Sequence, residues 1–224
     1  MYNPNGPVVN TLPPTVILVF LPMVIAEGFF AGSEAGLWGQ QGIRALAIQQ
    51  YAYFPEVTEQ ALRTGSWGLD VFWRFVSYSF ININFLGTIF GGVMTLALGK
   101  FVAEALGEVT FVLTFFLTAI FGALIYTLLS GETYPLFGAY PAAFGMLGAF
   151  SFVIYTQAGG MRDQQMRAFQ LLGVLLVLNW IYVLFFGAAN TWIAELAAAI
   201  LGFAIAATRV PGGVEILLER LRQR

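Results

Sequence analysis

The sequence contains no histidine and no cysteine. Their absence excludes His-ligated haem, Cys-ligated iron–sulfur centres, Cys/His zinc sites, thiol catalysis and disulfides together. With no thiol to oxidise, the redox compartment leaves no mark. Charge is scarce as well: 10% of the 224 residues are charged against 58% hydrophobic, too little polar surface for a soluble domain of that length. Aspartate occurs only as Asp70 and Asp163, both outside the apolar runs, so a pair of intramembrane aspartates is excluded on residue supply. No run of Lys or Arg accompanies the formal net charge of −2, which argues against nucleic acid as a partner. Neither a phosphate-binding G-x-x-x-x-G-K-[ST] loop nor an H-E-x-x-H metal motif is present. No metal or cofactor is expected. No basic residue precedes Arg44, so a cleaved secretory leader is not expected and the first apolar segment should be retained.

What remains is an all-α integral membrane protein. Residues 1–14 form an Asn/Pro-rich N-terminal segment that stops at Pro13-Pro14. A first span is expected over 15–32, with Pro22 as a kink and Glu27 near its far end. The first loop, 33–74, is mixed polar and carries Trp38, Tyr51, Tyr53 and Trp67. At about 40 residues it is too long for a bare connection and should hold short helices lying in the membrane interface. The run from Trp73 to Gly107 supplies roughly 25 mostly apolar residues, enough to cross a hydrocarbon core of about 30 Å. Its polar residues, Ser77, Ser79, Asn82, Asn84 and Thr88, cluster at one end instead of along one side. Further spans are expected over 109–130, 167–187 (with Asn179 inside) and 191–208. Between them a fourth helix over 141–156 would reach only about 24 Å and should start inside the membrane. Residues 209–224 form a tail in which Val214, Leu217, Leu218 and Leu221 recur at helical spacing beside Arg220, Arg222 and Arg224. An amphipathic helix on an anionic leaflet fits that pattern, with a partner-docking helix as the alternative.

Six spans put both termini on one side. The loops there carry Lys100, Arg162, Arg167, Arg209, Arg220, Arg222 and Arg224, against Arg44, Arg63 and Arg74 opposite, so both termini should face the cytoplasm.

Three blocks carry chemistry-sized motifs. Trp73-Arg74 is followed without a gap by Gly87 and Gly91 four apart, then Gly99 and Leu106-Gly107. Gly138-Ala139-Tyr140-Pro141 is followed by the small residues Gly145 and Gly148, and Ala194-Glu195 by Ala198 and Gly202. The arrangement resembles the rhomboid family of intramembrane serine proteases. That resemblance implies a six-helix bundle with a large interfacial first loop and a short fourth helix, in a bacterial inner membrane. In the family a Trp-Arg pair precedes the second helix, two polar residues four apart help hold the oxyanion, G-x-S-G supplies the nucleophile, and an Ala-His pair in the sixth helix supplies the base. Here Gly87, Gly91, Tyr140 and Glu195 stand at those places, while Trp73, Arg74, Gly138, Gly145 and Gly202 keep the frame. A phenol, with a pKa of about 10, is a poor nucleophile near neutral pH, and no imidazole exists to activate it. Pro141 also removes an N–H donor from the place where the resemblance puts the oxyanion site. Without the resemblance, Gly87, Gly91 and Gly92 read as a helix-packing face.

The resemblance therefore implies a catalytically degenerate, non-proteolytic member that binds other integral membrane proteins in their assembly, stabilisation or quality control. Polar groups available to such clients or to lipids are Glu27, Asn82, Asn84 and Asn179. Glu27 also reads as a solvated or neutral group near the interface, and Asn179 as an ordinary interhelical contact. Tyr140 and Glu195 are expected to face each other. Two other function classes stay open: a permanent accessory subunit packing through its outer phenylalanines, and a small transporter, which would need a polar pathway at the midplane.

Overall fold

Two prolines start the first helix. Proline has no N–H to lose in a first turn and its φ is already close to helical, so α1 (Pro14–Glu34) begins with Pro13 as its cap and continues through Pro22. The computed structural model describes residues 11–157, 170, 173–174, 177 and 190–222. The span expected over 167–187, with Asn179, thus lies outside the described residues, apart from four isolated helical positions.

The first loop folds into three short helices: α2 (Ile43–Tyr51), α3 (Pro55–Thr64) and α4 (Leu69–Ser77). Glycine or proline marks their ends. α3 opens on Pro55 and closes on Gly65, and α2 is preceded by Gly42. Trp73 is exposed, whereas Arg74 turns inward and donates from Nη1 to the Ala52 carbonyl at 2.8 Å. Ser77 Oγ donates to the Tyr51 carbonyl at 2.7 Å, so α4 is tied to the end of α2 at two points.

The stretch from Trp73 to Gly107 is not one continuous helix. α4 stops at Ser77, a 3-10 turn covers Tyr78–Phe80, and a new helix, α5 (Phe85–Leu106), starts only after an extended segment. The cause is local. Ile81-Asn82-Ile83-Asn84 alternates apolar and polar residues with a strand-like period of two, and Asn84 caps α5 by accepting from the Gly87 N–H at 2.8 Å. The two asparagines of the stretch therefore lie in the connection before the helix, and the 22 residues of α5, about 33 Å long, are the span.

α6 (Glu108–Leu129) follows at once, the reversal being made by Gly107 at φ +92°. α7 (Tyr140–Gln157), α8 (Trp192–Arg209) and α9 (Gly213–Arg222) complete the described helices. Among these, α1, α5, α6 and α8 are long and apolar enough to cross a membrane. With 18 residues α7 reaches about 27 Å, and it is wrapped by protein: Pro141 to Ala149 are all buried, as are Ser151, Phe152 and Val153. It packs against α5, α6 and α8, and α1 packs on α5.

The loop before α7 is anchored to the rest of the fold. Tyr53 and Leu136 exchange backbone hydrogen bonds at 3.0 and 2.8 Å, and the Tyr53 hydroxyl pairs with Thr127 Oγ1 of α6 at 2.5 Å. Tyr53→Phe removes that contact while Thr127 keeps its bond to the Ala123 carbonyl. The expected loss is about 1 kcal/mol, read as a lower unfolding midpoint in detergent micelles. Thr127→Val should cost less in the Tyr53→Phe background than in the unaltered chain, because the pairing it would break is already gone.

Candidate functional site

The family-matching residues meet where α5, α7 and α8 begin. Gly138 stands at φ +82°, a conformation that L side chains rarely adopt, and its N–H points at the carbonyls of Tyr78 (2.8 Å) and Ile81 (2.7 Å). This turn delivers Tyr140 to the first position of α7, and Pro141 takes a place in the first turn where no N–H is needed. α8 starts alongside. A β-carbon added to Gly122 of α6 would lie 2.8 Å from the Ala194 carbonyl oxygen and 3.2 Å from Pro141 Cβ, so the first turns of α7 and α8 rest on the same point of α6. Glu195 is 4% exposed in the first turn of α8, and Tyr140 is half-buried in the first turn of α7. Their chain neighbours Ala194 and Pro141 meet on Gly122, so the two helix starts that carry Tyr140 and Glu195 adjoin.

Below them the helices touch backbone to backbone. A β-carbon on Gly148 would run into the Ala199 carbonyl, one on Gly202 into the Gly145 carbonyl, and one on Gly145 into the Thr118 side chain. Gly145 and Gly202 therefore hold the α7–α8 contact directly, the use that small residues have between membrane helices.

Gly87 and Gly91 face the same region from α5. A β-carbon on Gly91 would stand 3.8 Å from the Ala139 nitrogen, and both positions look toward the side chain of Asn82, 3.5 Å from a Gly87 β-carbon and 3.9 Å from one at Gly91. Asn82 is 3% exposed, buried in the fold and not displayed to lipid. Asn84 is exposed and occupied as the α5 cap.

Glu27 has a different surrounding from either of its sequence readings. It is 6% exposed, and its carboxylate takes hydrogen bonds from Arg44 (2.7 and 2.9 Å) and from Thr88 Oγ1 of α5 (2.6 Å). Arg44, from α2, also reaches Glu34 at 2.6 Å and the Asn82 carbonyl at 3.2 Å. One guanidinium therefore binds the first loop to α1 and to the entrance of α5, and none of Glu27 is left for a client. Sequence reasoning counted Arg44 only as an exterior positive charge. A signal was present: a carboxylate inside an apolar run demands a cation, and Arg44 is the first one in the chain.

Among the described residues no three metal-ligating side chains converge. The arrangement brings the Tyr140 ring and the Asn82 carboxamide to the same point, Gly138, polar groups suited to hydrogen bonding. The family model described as Rhomboid domain matches residues 70–212, more than half of the chain, from the start of α4 to the turn before α9. No curated protein matches the sequence.

Proposed function

The chain belongs to the rhomboid family, and from that membership we propose that it is a non-catalytic member which binds the transmembrane segments of other membrane proteins. The observation that carries this reading is the pair Tyr140 and Glu195, on adjoining helix starts at the positions where the family resemblance calls for a serine and a histidine, in a chain with no histidine at all. A buried carboxylate beside a phenol lacks the proton acceptor–nucleophile pairing that peptide cleavage needs near neutral pH. The backbone frame around it is kept, as the Gly145 and Gly202 contacts illustrate. In this reading the chain has six spans, both termini face the cytoplasm, and α9 rests on an anionic leaflet.

Two measurements on the full chain in native-like membranes test the proposal. A fluorophosphonate probe should label no serine, and reconstituted protein should leave transmembrane substrates uncut; labelling of one particular serine would overturn the reading. A photo-crosslinking residue at position 140 should capture membrane proteins at substoichiometric and varied ratios. Capture of one protein at fixed stoichiometry would instead make the chain a permanent subunit.

A further inference from the structure

Neither polar atom of the Asn82 side chain, Oδ1 or Nδ2, has a hydrogen-bond partner, although the residue is 3% exposed. A carboxamide buried without partners is costly anywhere and more so where no bulk water can reach. Its surroundings are bare on three sides. β-carbons added to Gly138, Gly87 and Gly91 would stand 2.5, 3.5 and 3.9 Å from Oδ1, so glycines from two elements leave the amide facing backbone, not side chains. The ring of Tyr140 closes a fourth side, its Cδ2 and Cε2 each 3.1 Å from the same Gly138 β-carbon position. The segment itself is held, because Arg44 donates to the Asn82 backbone carbonyl at 3.2 Å. Gly87 and Tyr140 are half-buried where Asn82, Gly91 and Gly138 are buried, so the way in lies between those two.

We infer that this glycine-walled space around Asn82 is a binding site for a carboxamide, the side chain of an Asn or Gln in a client's transmembrane segment. The inference rests on the client-binding reading and names the client's chemistry. An orphaned N–H donor next to an orphaned carbonyl oxygen is satisfied at both atoms by a group that presents an acceptor and a donor side by side. A carboxylate brings no donor and an ammonium no acceptor. The peptide groups of a helical client have both but spend them within their own helix. Another carboxamide meets the requirement whichever way the Asn82 amide is turned.

The test uses the full chain reconstituted in vesicles of phosphatidylcholine and phosphatidylglycerol, with labelled Leu-rich transmembrane peptides that carry either a single central Gln or Leu at that place. The Gln peptide should bind roughly tenfold tighter, the range that one or two interhelical hydrogen bonds give in a membrane. Asn82→Leu should erase the difference while keeping the Leu-peptide affinity. This variant replaces an unpaired polar group by an apolar one of similar size and should fold at least as well, as a thermal midpoint will register. Gly87→Val, which narrows the entrance and leaves the Asn82 carboxamide in the chain, should also erase the preference and serves if Asn82→Leu does not fold. Equal binding of both peptides to the unaltered chain, or a preference that survives Asn82→Leu, overturns the carboxamide site and leaves client binding standing. Binding of neither peptide overturns both.

Discussion

Arg44→Met is expected to cost about 3–5 kcal/mol of stability, among the largest effects available to a single substitution in this chain. The reason is the state in which it leaves Glu27. In the intact fold that carboxylate, 6% exposed, is held by two Arg44 nitrogens and by Thr88. Remove the guanidinium and a buried carboxylate keeps one neutral donor, while α2 loses its links to α1 and to the Asn82 carbonyl. The bond to Glu34 adds little, because Glu34 is half exposed and water can replace its partner. Hydrogen bonding to Glu27 lifts the Arg44 pKa above its ordinary value, against the downward pull of burial. The sign follows: a cation with a raised folded pKa contributes its full stabilisation at every pH below its ordinary value, so no accessible pH change imitates the substitution. The double variant Glu27→Gln/Arg44→Met should regain most of the loss, since it leaves no unpaired charge. Equilibrium unfolding in micelles or bicelles measures both. A single variant within about 1 kcal/mol of the parent would mean that the pair is solvated.

The helix ends that the sequence made legible are the ones with hard chemical markers. Pro13-Pro14 opens α1, Gly107 separates α5 from α6, Pro141 lies in the first turn of α7, and each lies within two residues of the expected boundary. The second span was misplaced because hydropathy averages over direction. Ile81-Asn82-Ile83-Asn84 sets two isoleucines at the head of an apolar run, yet its alternation and the Asn84 cap delay the helix until Phe85. Within the site, Tyr140 and Glu195 came out of motif spacing, since a family frame fixes which turns meet. The Glu27–Arg44 bond joins residues 17 apart across a turn of the chain, and no local pattern encodes it. The orphaned Asn82 amide was equally invisible, because whether a carboxamide finds a partner depends on side chains that three glycines withhold.

Gly202→Val should be as damaging as the loss of Arg44, for a steric reason. The first atom that any side chain would add at this position falls onto the Gly145 carbonyl oxygen, closer than real contacts allow. The neighbour cannot rotate away, being backbone. Nor can α7 retreat, because α5 and α6 pack against it from the other sides and Gly145 already meets Thr118 there. Overpacking a yielding core costs about 1–3 kcal/mol; because the obstacle here is backbone, Gly202→Ala should reach the top of that range, and valine, with two further methyl groups, should exceed it and remove most folded protein from a detergent extract. Gly28→Ala provides the control: nothing lies within 4 Å of its β-carbon position, and alanine favours a helix over glycine, so stability should hold or rise slightly. The alanine variant carries a second consequence. α7 and α8 begin with the turns that bring Tyr140 and Glu195 together, so prising them apart at Gly145 shifts both residues relative to each other. If the client-binding site is built on that contact, Gly202→Ala should weaken crosslinking from position 140 while the protein stays folded. Unchanged crosslinking at a lowered unfolding midpoint would mean that the helix contact supports the fold and not the site.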